Sequence, residues 1–230
     1  MINEVIILAG GMGTRLQSVV SDVSKCMAPV NGKPFLYYVI EHLKSQGINK
    51  YIFSLGYKSE SIVHYINKEF SALDTQYSIE ESPLGTGGAI KLASIKASGK
   101  DILVVNGDTL FSVNIKEFSE FHKANKSDCT LCLKPMTNFD RYGVVETSTG
   151  NRITSFKEKK YYKEGVINGG VYALGVPKFM EESLPGVFSF EKDYLEEYVT
   201  RRSMFGMKQD AYFIDIGIPE DYKRAQKELA

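Results

Sequence analysis

An excess of charge of either sign is missing from this 230-residue chain: Lys plus Arg number 28 and Asp plus Glu number 28, a formal net charge of zero. Nucleic-acid and membrane-surface proteins carry a clustered basic excess, so neither class gains support, although a local basic pocket for a small anion stays open. Cysteine is equally scarce. Three scattered residues build no disulfide framework. Cys129 and Cys132 have a CxxC spacing, but they stand in Cys129-Thr-Leu-Cys132-Leu, the pattern of a buried strand. Zinc needs about four ligands, and His42, His64 and His122 lie too far apart in sequence to complete a set. The cysteines are expected to pack as small hydrophobes, as in a reducing compartment. No apolar run approaches the ~20 residues of a membrane helix. The short run at 5–8 leads straight into glycines, whereas a signal peptide has a basic start, a longer apolar stretch and a cleavage site. The expectation is a cytoplasmic protein with no membrane and no nucleic-acid partner.

What is present is ordinary globular composition, 43% hydrophobic and 24% charged, which argues against disorder. Repeats, low-complexity tracts and linkers are lacking, so residues 1–230 are expected to form one domain. Its first half, to about residue 125, alternates strand and helix patterns. Strands are expected at 5–8, 51–55, 76–80 and 102–105, and helices at 34–44, 59–70 (with Ser59 as its cap), 87–97 and 113–124. That order predicts an α/β fold: a Rossmann-like, mostly parallel central sheet with helices on both faces. From about residue 126 the pattern becomes mixed. Short strands are expected at 130–134, 143–147, 153–157, 170–174 and 211–214, and helices at 194–202 and 220–229.

Several segments carry chemistry. Leu8-Ala9-Gly10-Gly11-Met12-Gly13-Thr14-Arg15-Leu16 follows the first strand, where glycines let backbone approach a ligand and successive N–H groups can hold phosphate. It fits neither the dinucleotide fingerprint nor the P-loop. Lys25, in a polar loop before Pro29, would complete a cationic clamp if it returned beside Arg15. Glu80-Glu81-Ser82-Pro83-Leu84-Gly85-Thr86-Gly87-Gly88 places a second glycine loop after a strand, suited to pressing backbone on a flat ligand. Asn106-Gly107-Asp108 and Asp215-Ile216-Gly217 put two carboxylates at strand ends. Two such carboxylates near cationic glycine loops suit Mg²⁺, which takes one or two carboxylates plus phosphate oxygens and water.

Together these segments resemble the sugar-1-phosphate nucleotidyltransferase family. Residues 10–16 look like its GGxGTRL signature, and residues 25–35 like its Lys-x-x-x-Pro-Val-x-Gly-Lys-Pro-Phe segment. Asp108 and Asp215 match its metal-binding aspartates. Glu158-Lys159 looks like its sugar-phosphate motif, except that Lys160 stands where the family usually has Pro. Tyr142-Gly143-Val144 and Asn168-Gly169-Gly170-Val171-Tyr172 are similar to segments that face the sugar, and Phe190-Glu191-Lys192-Asp193 to a further one. The resemblance implies Arg15, Lys25, Asp108 and Asp215 as catalytic residues, and Asp108 and Asp215 as ligands of Mg²⁺. It implies Leu8, Ala9, Gly10, Gly11, Gly13, Thr14, Arg15, Lys25, Glu80, Gly85, Thr86 and Gly107 at the nucleotide, and Gly143, Glu158, Lys159, Asn168 and Glu191 at the sugar phosphate. Within the family, Glu80 and its glycine loop are most similar to guanylyltransferases, especially those acting on D-glycero-α-D-manno-heptose 1-phosphate, with mannose 1-phosphate as the alternative. The partners implied are then GTP and a sugar 1-phosphate, the product a GDP-sugar for capsule or surface polysaccharide synthesis. No C-terminal β-helix is expected, and the resemblance leaves homo-oligomer formation open. A metal-dependent glycosyltransferase would carry Asp-x-Asp, but Asn106 stands two before Asp108. A non-catalytic regulatory relative would lack the Arg, Lys or Asp positions that this chain keeps.

Overall fold

Strands with apolar residues at every position need cover on two faces, and the computed structural model, which describes residues 1–11 and 23–229, supplies it. Seven strands form the central sheet: β1 (Glu4–Leu8), β2 (Lys50–Leu55), β3 (Asp74–Ile79), β4 (Asp101–Asn106), β5 (Cys129–Phe139), β6 (Tyr162–Gly175) and β7 (Met204–Lys208). Their spatial order is β7-β5-β6-β4-β1-β2-β3. β1 runs parallel to β2 and β4, β2 to β3, and β7 to β5; only β6 is antiparallel to its neighbours β4 and β5. The sheet is therefore mostly parallel, as expected.

Alternation along β1 sends Val5 and Ile7 into one core and Ile6 into the other. The first core takes Phe35, Leu36, Val39, Ile40 and Leu43, one face of the helix Phe35–Ser45, with Ile62 and Ile66 of the helix Ser59–Glu69. The second takes Ile90 and Ala93 of the helix Gly85–Ser94 and a group of aromatic residues from the second half of the chain. Cys129 and Cys132, three apart on β5, fall in opposite cores, which no common metal could bridge.

Several boundaries differ from expectation. Ser59 does not cap its helix: Lys58 holds the cap position at φ 55°, and no side chain accepts there. β6 starts at Tyr162, eight residues before the expected strand, because its first half is a partly exposed ribbon paired with the far end of β5. The helix expected at 194–202 begins instead as a π-helix, Phe190–Glu196, capped by the Ser189 hydroxyl accepting from the Lys192 N–H. The edge strand β7 was not expected. The two halves of the chain share one sheet, since β4 from the first pairs with β6 from the second.

Candidate active site

The strand order fixes where a ligand can sit. The chain runs from β1 to β2 and β3 on one side, then returns to place β4 on the other, and the crevice of such a sheet opens at the carboxyl ends of its strands. A cavity of about 630 Å³ lies there, and its lining includes the strand ends Leu8, Ser54 and Asn106. Of the residues singled out in the sequence, it collects Leu8, Gly10, Gly11, Glu80, Gly85, Thr86, Asp108 and Glu191. Gly13, Thr14 and Arg15 lie outside the described residues.

One end of the cavity is built around Glu80, just past β3. Its Oε2 accepts from the Leu84 N–H at 3.1 Å. Its Oε1 rests on a glycine shelf: a Cβ on Gly56 would stand 2.6 Å from it, and a Cβ on Gly10 3.4 Å. Gly10 itself has no room for a side chain, since its Cβ would meet the Gly56 nitrogen at 2.9 Å. Glu80 is thus a half-buried acceptor of fixed direction, while neighbouring Glu81 is exposed.

The glycine loop beside it works differently from the expectation of backbone pressed on ligand. Gly87 and Gly88 are buried, the first under the Phe188 ring. A Cβ on Gly88 would meet the Gly186 carbonyl oxygen at 2.6 Å. These glycines admit the 186–190 segment, leaving Gly85 and Thr86 to face the cavity. Thr86 donates its hydroxyl to Glu191 Oε2 at 2.8 Å and accepts from the Phe190 N–H at 2.9 Å. Ser189 and Tyr172 hydroxyls also donate to the Glu191 carboxylate, at 3.1 and 3.4 Å.

At Asp108 the lining meets a charge cluster drawn from three distant segments; Lys25 and Asp215 lie outside the lining itself. Asp108 follows β4 in a tight turn: Gly107 donates its N–H to the Leu8 carbonyl at 2.8 Å and has no space for a Cβ. Asp215 ends the short strand Phe213–Asp215, which pairs with Thr109–Phe111 so that Asp215 lies opposite Thr109. Lys25 opens the 3₁₀ turn Lys25–Met27, and its Nζ reaches Asp108 Oδ2 at 2.5 Å and Asp215 Oδ1 at 3.4 Å. Asp215 Oδ1 also accepts from the Gly217 N–H at 2.8 Å. Side-chain exposures of 18%, 32% and 23% for Lys25, Asp108 and Asp215 leave the cluster open to a ligand. Burial alone would lower the Lys25 pKa, but the two carboxylates hold it above its ordinary value. Next to it, burial pushes the Cys26 thiol up to about 12.

Among the described residues no cluster of three or more His, Cys, Asp or Glu could hold a metal alone. Asp108 and Asp215 nevertheless fit one: they are hard oxygen donors, already sharing a cation in the form of the Lys25 ammonium, and phosphate oxygens and water would supply the remaining positions.

The sugar-side candidates are less gathered. Asn168 sits at a register shift in the β5–β6 ladder, its Nδ2 on the Tyr172 hydroxyl at 2.9 Å and its Oδ1 on the Gly170 N–H at 3.0 Å. Gly143 packs under the Lys157 carbonyl. Glu158 and Lys159 are exposed and do not line the cavity. Ala9 is buried, its N–H on the Ser54 carbonyl at 2.9 Å.

Sequence reasoning missed Gly56 and Tyr57 in the lining; Gly56, a glycine directly after a strand, was open to the rule that singled out Gly10. It also missed Arg141, which pairs with Asp221 at 2.5 Å and lies 5.4 Å over the Tyr142 ring. Tyr142 in turn reaches Asp215 Oδ2 at 3.4 Å. Nothing local in the sequence marks that chain of contacts.

A cavity at the carboxyl ends of parallel strands, lined by a fixed carboxylate and by one of two lysine-bridged aspartates, is the arrangement of a nucleotide-binding α/β protein. The chain belongs to the nucleotidyl transferase family, whose model matches residues 4–230. It is 51% identical over 226 residues to a D-glycero-α-D-manno-heptose 1-phosphate guanylyltransferase of Aneurinibacillus thermoaerophilus, covering 98% of each chain. A protein of the same description from Campylobacter jejuni is 45% identical, with 95% of this chain and 96% of that one covered. The crystal structure of HddC from Yersinia pseudotuberculosis complexed with GMP-PN matches with a TM-score of 0.90 and 37% identity, covering 100% of both chains. No helix among the described residues is long and apolar enough to cross a membrane.

Proposed function

We propose that the protein transfers GMP from GTP to D-glycero-α-D-manno-heptose 1-phosphate, giving a GDP-heptose and pyrophosphate. The observation that carries this is the cavity lined by both Glu80 and Asp108, the latter joined to Asp215 through Lys25. One crevice would then serve both the base and the phosphates. The full-length relatives that act on the heptose phosphate favour that sugar over mannose; the mannose-1-phosphate guanylyltransferase of Arabidopsis thaliana is 31% identical, and the match spans 62% of its length.

Guanine presents two adjacent donors, N1–H and the exocyclic N2–H, and an ionised carboxylate is acceptor-only. Glu80 matches that edge. Gly10, Gly11, Gly13 and Thr14 supply backbone to the triphosphate. The attacking group is an oxygen of the sugar phosphate, whose second pKa of about 6 leaves it largely ionised at neutral pH. No general base is required, and none of the three histidines lines the cavity. The new bond joins that oxygen to the α-phosphorus, and the bond from the α-phosphorus to the bridging oxygen of pyrophosphate breaks. Catalysis is then mostly positioning and charge neutralisation. Asp108 and Asp215 would hold Mg²⁺, which when bound neutralises phosphate oxygens. Lys25 and Arg15 offset the charge of the triphosphate and of the departing pyrophosphate. Lys159 binds the sugar phosphate, while Glu158, Asn168, Glu191 and the Gly143 backbone contact the sugar. The setting is the cytoplasm, and the product is an activated donor for capsule or surface polysaccharide.

A matrix of nucleoside triphosphates against sugar 1-phosphates, read by pyrophosphate release, tests this. The highest kcat/KM is expected for GTP with the heptose phosphate. Equal or better use of mannose 1-phosphate would remove the heptose assignment, and no release from any pair would remove the activity.

A further inference from the structure

Two carboxylates that stand ready for a divalent cation are closed by a lysine of the same chain. Lys25 Nζ is 2.5 Å from Asp108 Oδ2 and 3.4 Å from Asp215 Oδ1. An oxygen that close to an ammonium has one of its lone pairs engaged. The charges do not balance: one ammonium against two carboxylates leaves the cluster negative, whereas a divalent cation would neutralise it. Lysine and divalent cation together would overshoot and set like charges side by side, which is unfavourable. Among the described residues no second cation bonds these oxygens; Arg141, near enough to Asp215 to interact with its charge, is paired with Asp221. Asp215 takes the Gly217 N–H and the Tyr142 hydroxyl, and Asp108 Oδ1 takes the Thr109 hydroxyl at 3.4 Å. Only the Lys25 side chain needs to move for an exchange. Its backbone is held in a 3₁₀ turn, with the Met27 N–H on the Ser24 carbonyl at 2.8 Å, between buried Ser24 and buried Cys26. The four-carbon stem is flexible.

We propose that Lys25 and the divalent cation are alternative partners of the Asp108–Asp215 pair, so that the cation is taken up together with a triphosphate that draws the ammonium onto its own oxygens. This rests on the metal role proposed above for the two aspartates. Lys25 then has two duties: it offsets half of the carboxylate charge while the cavity is empty, and it moves onto phosphate when nucleotide arrives.

Mn²⁺, an ion suited to the same oxygen donors, is the probe, followed by electron paramagnetic resonance or titration calorimetry without nucleotide. Lys25→Met and Lys25→Gln should bind Mn²⁺ at least about tenfold more tightly than the wild type, the factor that about 1.4 kcal/mol supplies. Asp108→Asn and Asp215→Asn should bind it more weakly. Equal or weaker binding in both folded Lys25 variants overturns the exchange while leaving the aspartates as ligands. Unchanged binding in both aspartate variants overturns the exchange by removing the metal site itself. A wild-type measurement covers the case in which a Lys25 variant fails to fold. Trace acetylation of Lys25, quantified by peptide mass spectrometry, should rise severalfold when Mn²⁺ saturates the protein, and no rise overturns the proposal.

Discussion

Exchanging Glu80 for glutamine replaces one oxygen by an amide nitrogen at a position the fold has already oriented. Oε2 is committed to the Leu84 N–H at 3.1 Å, and Oε1 lies over the Gly10 and Gly56 backbone. A glutamine has a single acceptor to serve both directions. If its carbonyl keeps Leu84, its NH₂ faces the donors of guanine; if the carbonyl turns to the base, the NH₂ faces the Leu84 N–H. Either orientation sets a donor against a donor where a charge-assisted hydrogen bond stood. A bidentate edge contact discriminates by about 1–3 kcal/mol, and a charged acceptor belongs toward the upper end. Glu80→Gln should therefore raise KM for GTP and narrow its advantage over ATP by roughly 10–100-fold, while pyrophosphate release continues. ITP, which lacks the exocyclic amine, sharpens the test. Wild type should prefer GTP to ITP, and the variant should lose most of that preference, because the two deletions remove one shared contact and so are not additive. A GTP-to-ATP preference unchanged in Glu80→Gln would refute the guanine role, since the exposed Glu81 or backbone groups would then read the base.

Asp108→Asn and Asp215→Asn should fold normally and lose turnover by roughly 10²–10³-fold, the scale of losing one electrostatic group at a transition state; near wild-type kcat at saturating Mg²⁺ in either variant would exclude that aspartate. Gly88→Ala should destabilise by about 1–3 kcal/mol, because its Cβ would meet the Gly186 carbonyl at 2.6 Å and the Leu84 Cβ at 2.8 Å, neither a flexible side-chain end. For a chain of this size that is a fall in Tm of about 2–4 °C per kcal/mol, measurable by calorimetry, and an unchanged or higher Tm would show that the 186–190 segment yields.

The sequence by itself determined the mostly parallel first half of the sheet. Three largely apolar strands alternating with helices in the first half, at 5–8, 51–55 and 102–105, can be covered only on two faces, and β1 and its neighbours do divide their side chains between two cores. It also determined where cavity-lining residues would lie, because a glycine or a carboxylate just after a buried strand stands at the sheet's open edge. Gly10 and Asp108, just past the buried strands β1 and β4, are legible on that rule alone. Only the tertiary structure decided the partnerships. Asp108 and Asp215 are 107 positions apart in sequence, and they meet through a two-strand pairing of three residues each, too short to carry a pattern. Lys25 looks like any loop lysine until three segments converge on it. The first half of β6 hid for a related reason: on a partly exposed ribbon, alternation weakens because neither face needs to be apolar throughout. Gly87 and Gly88 read as ligand-facing loop glycines, yet it is Phe188 and Gly186, about 100 residues downstream, that require them to be small. Local physics writes strands, helices and turns into neighbouring residues. Close approach between distant segments depends on how whole elements pack, so the charge cluster and the Glu80 shelf came into being only when the sheet closed.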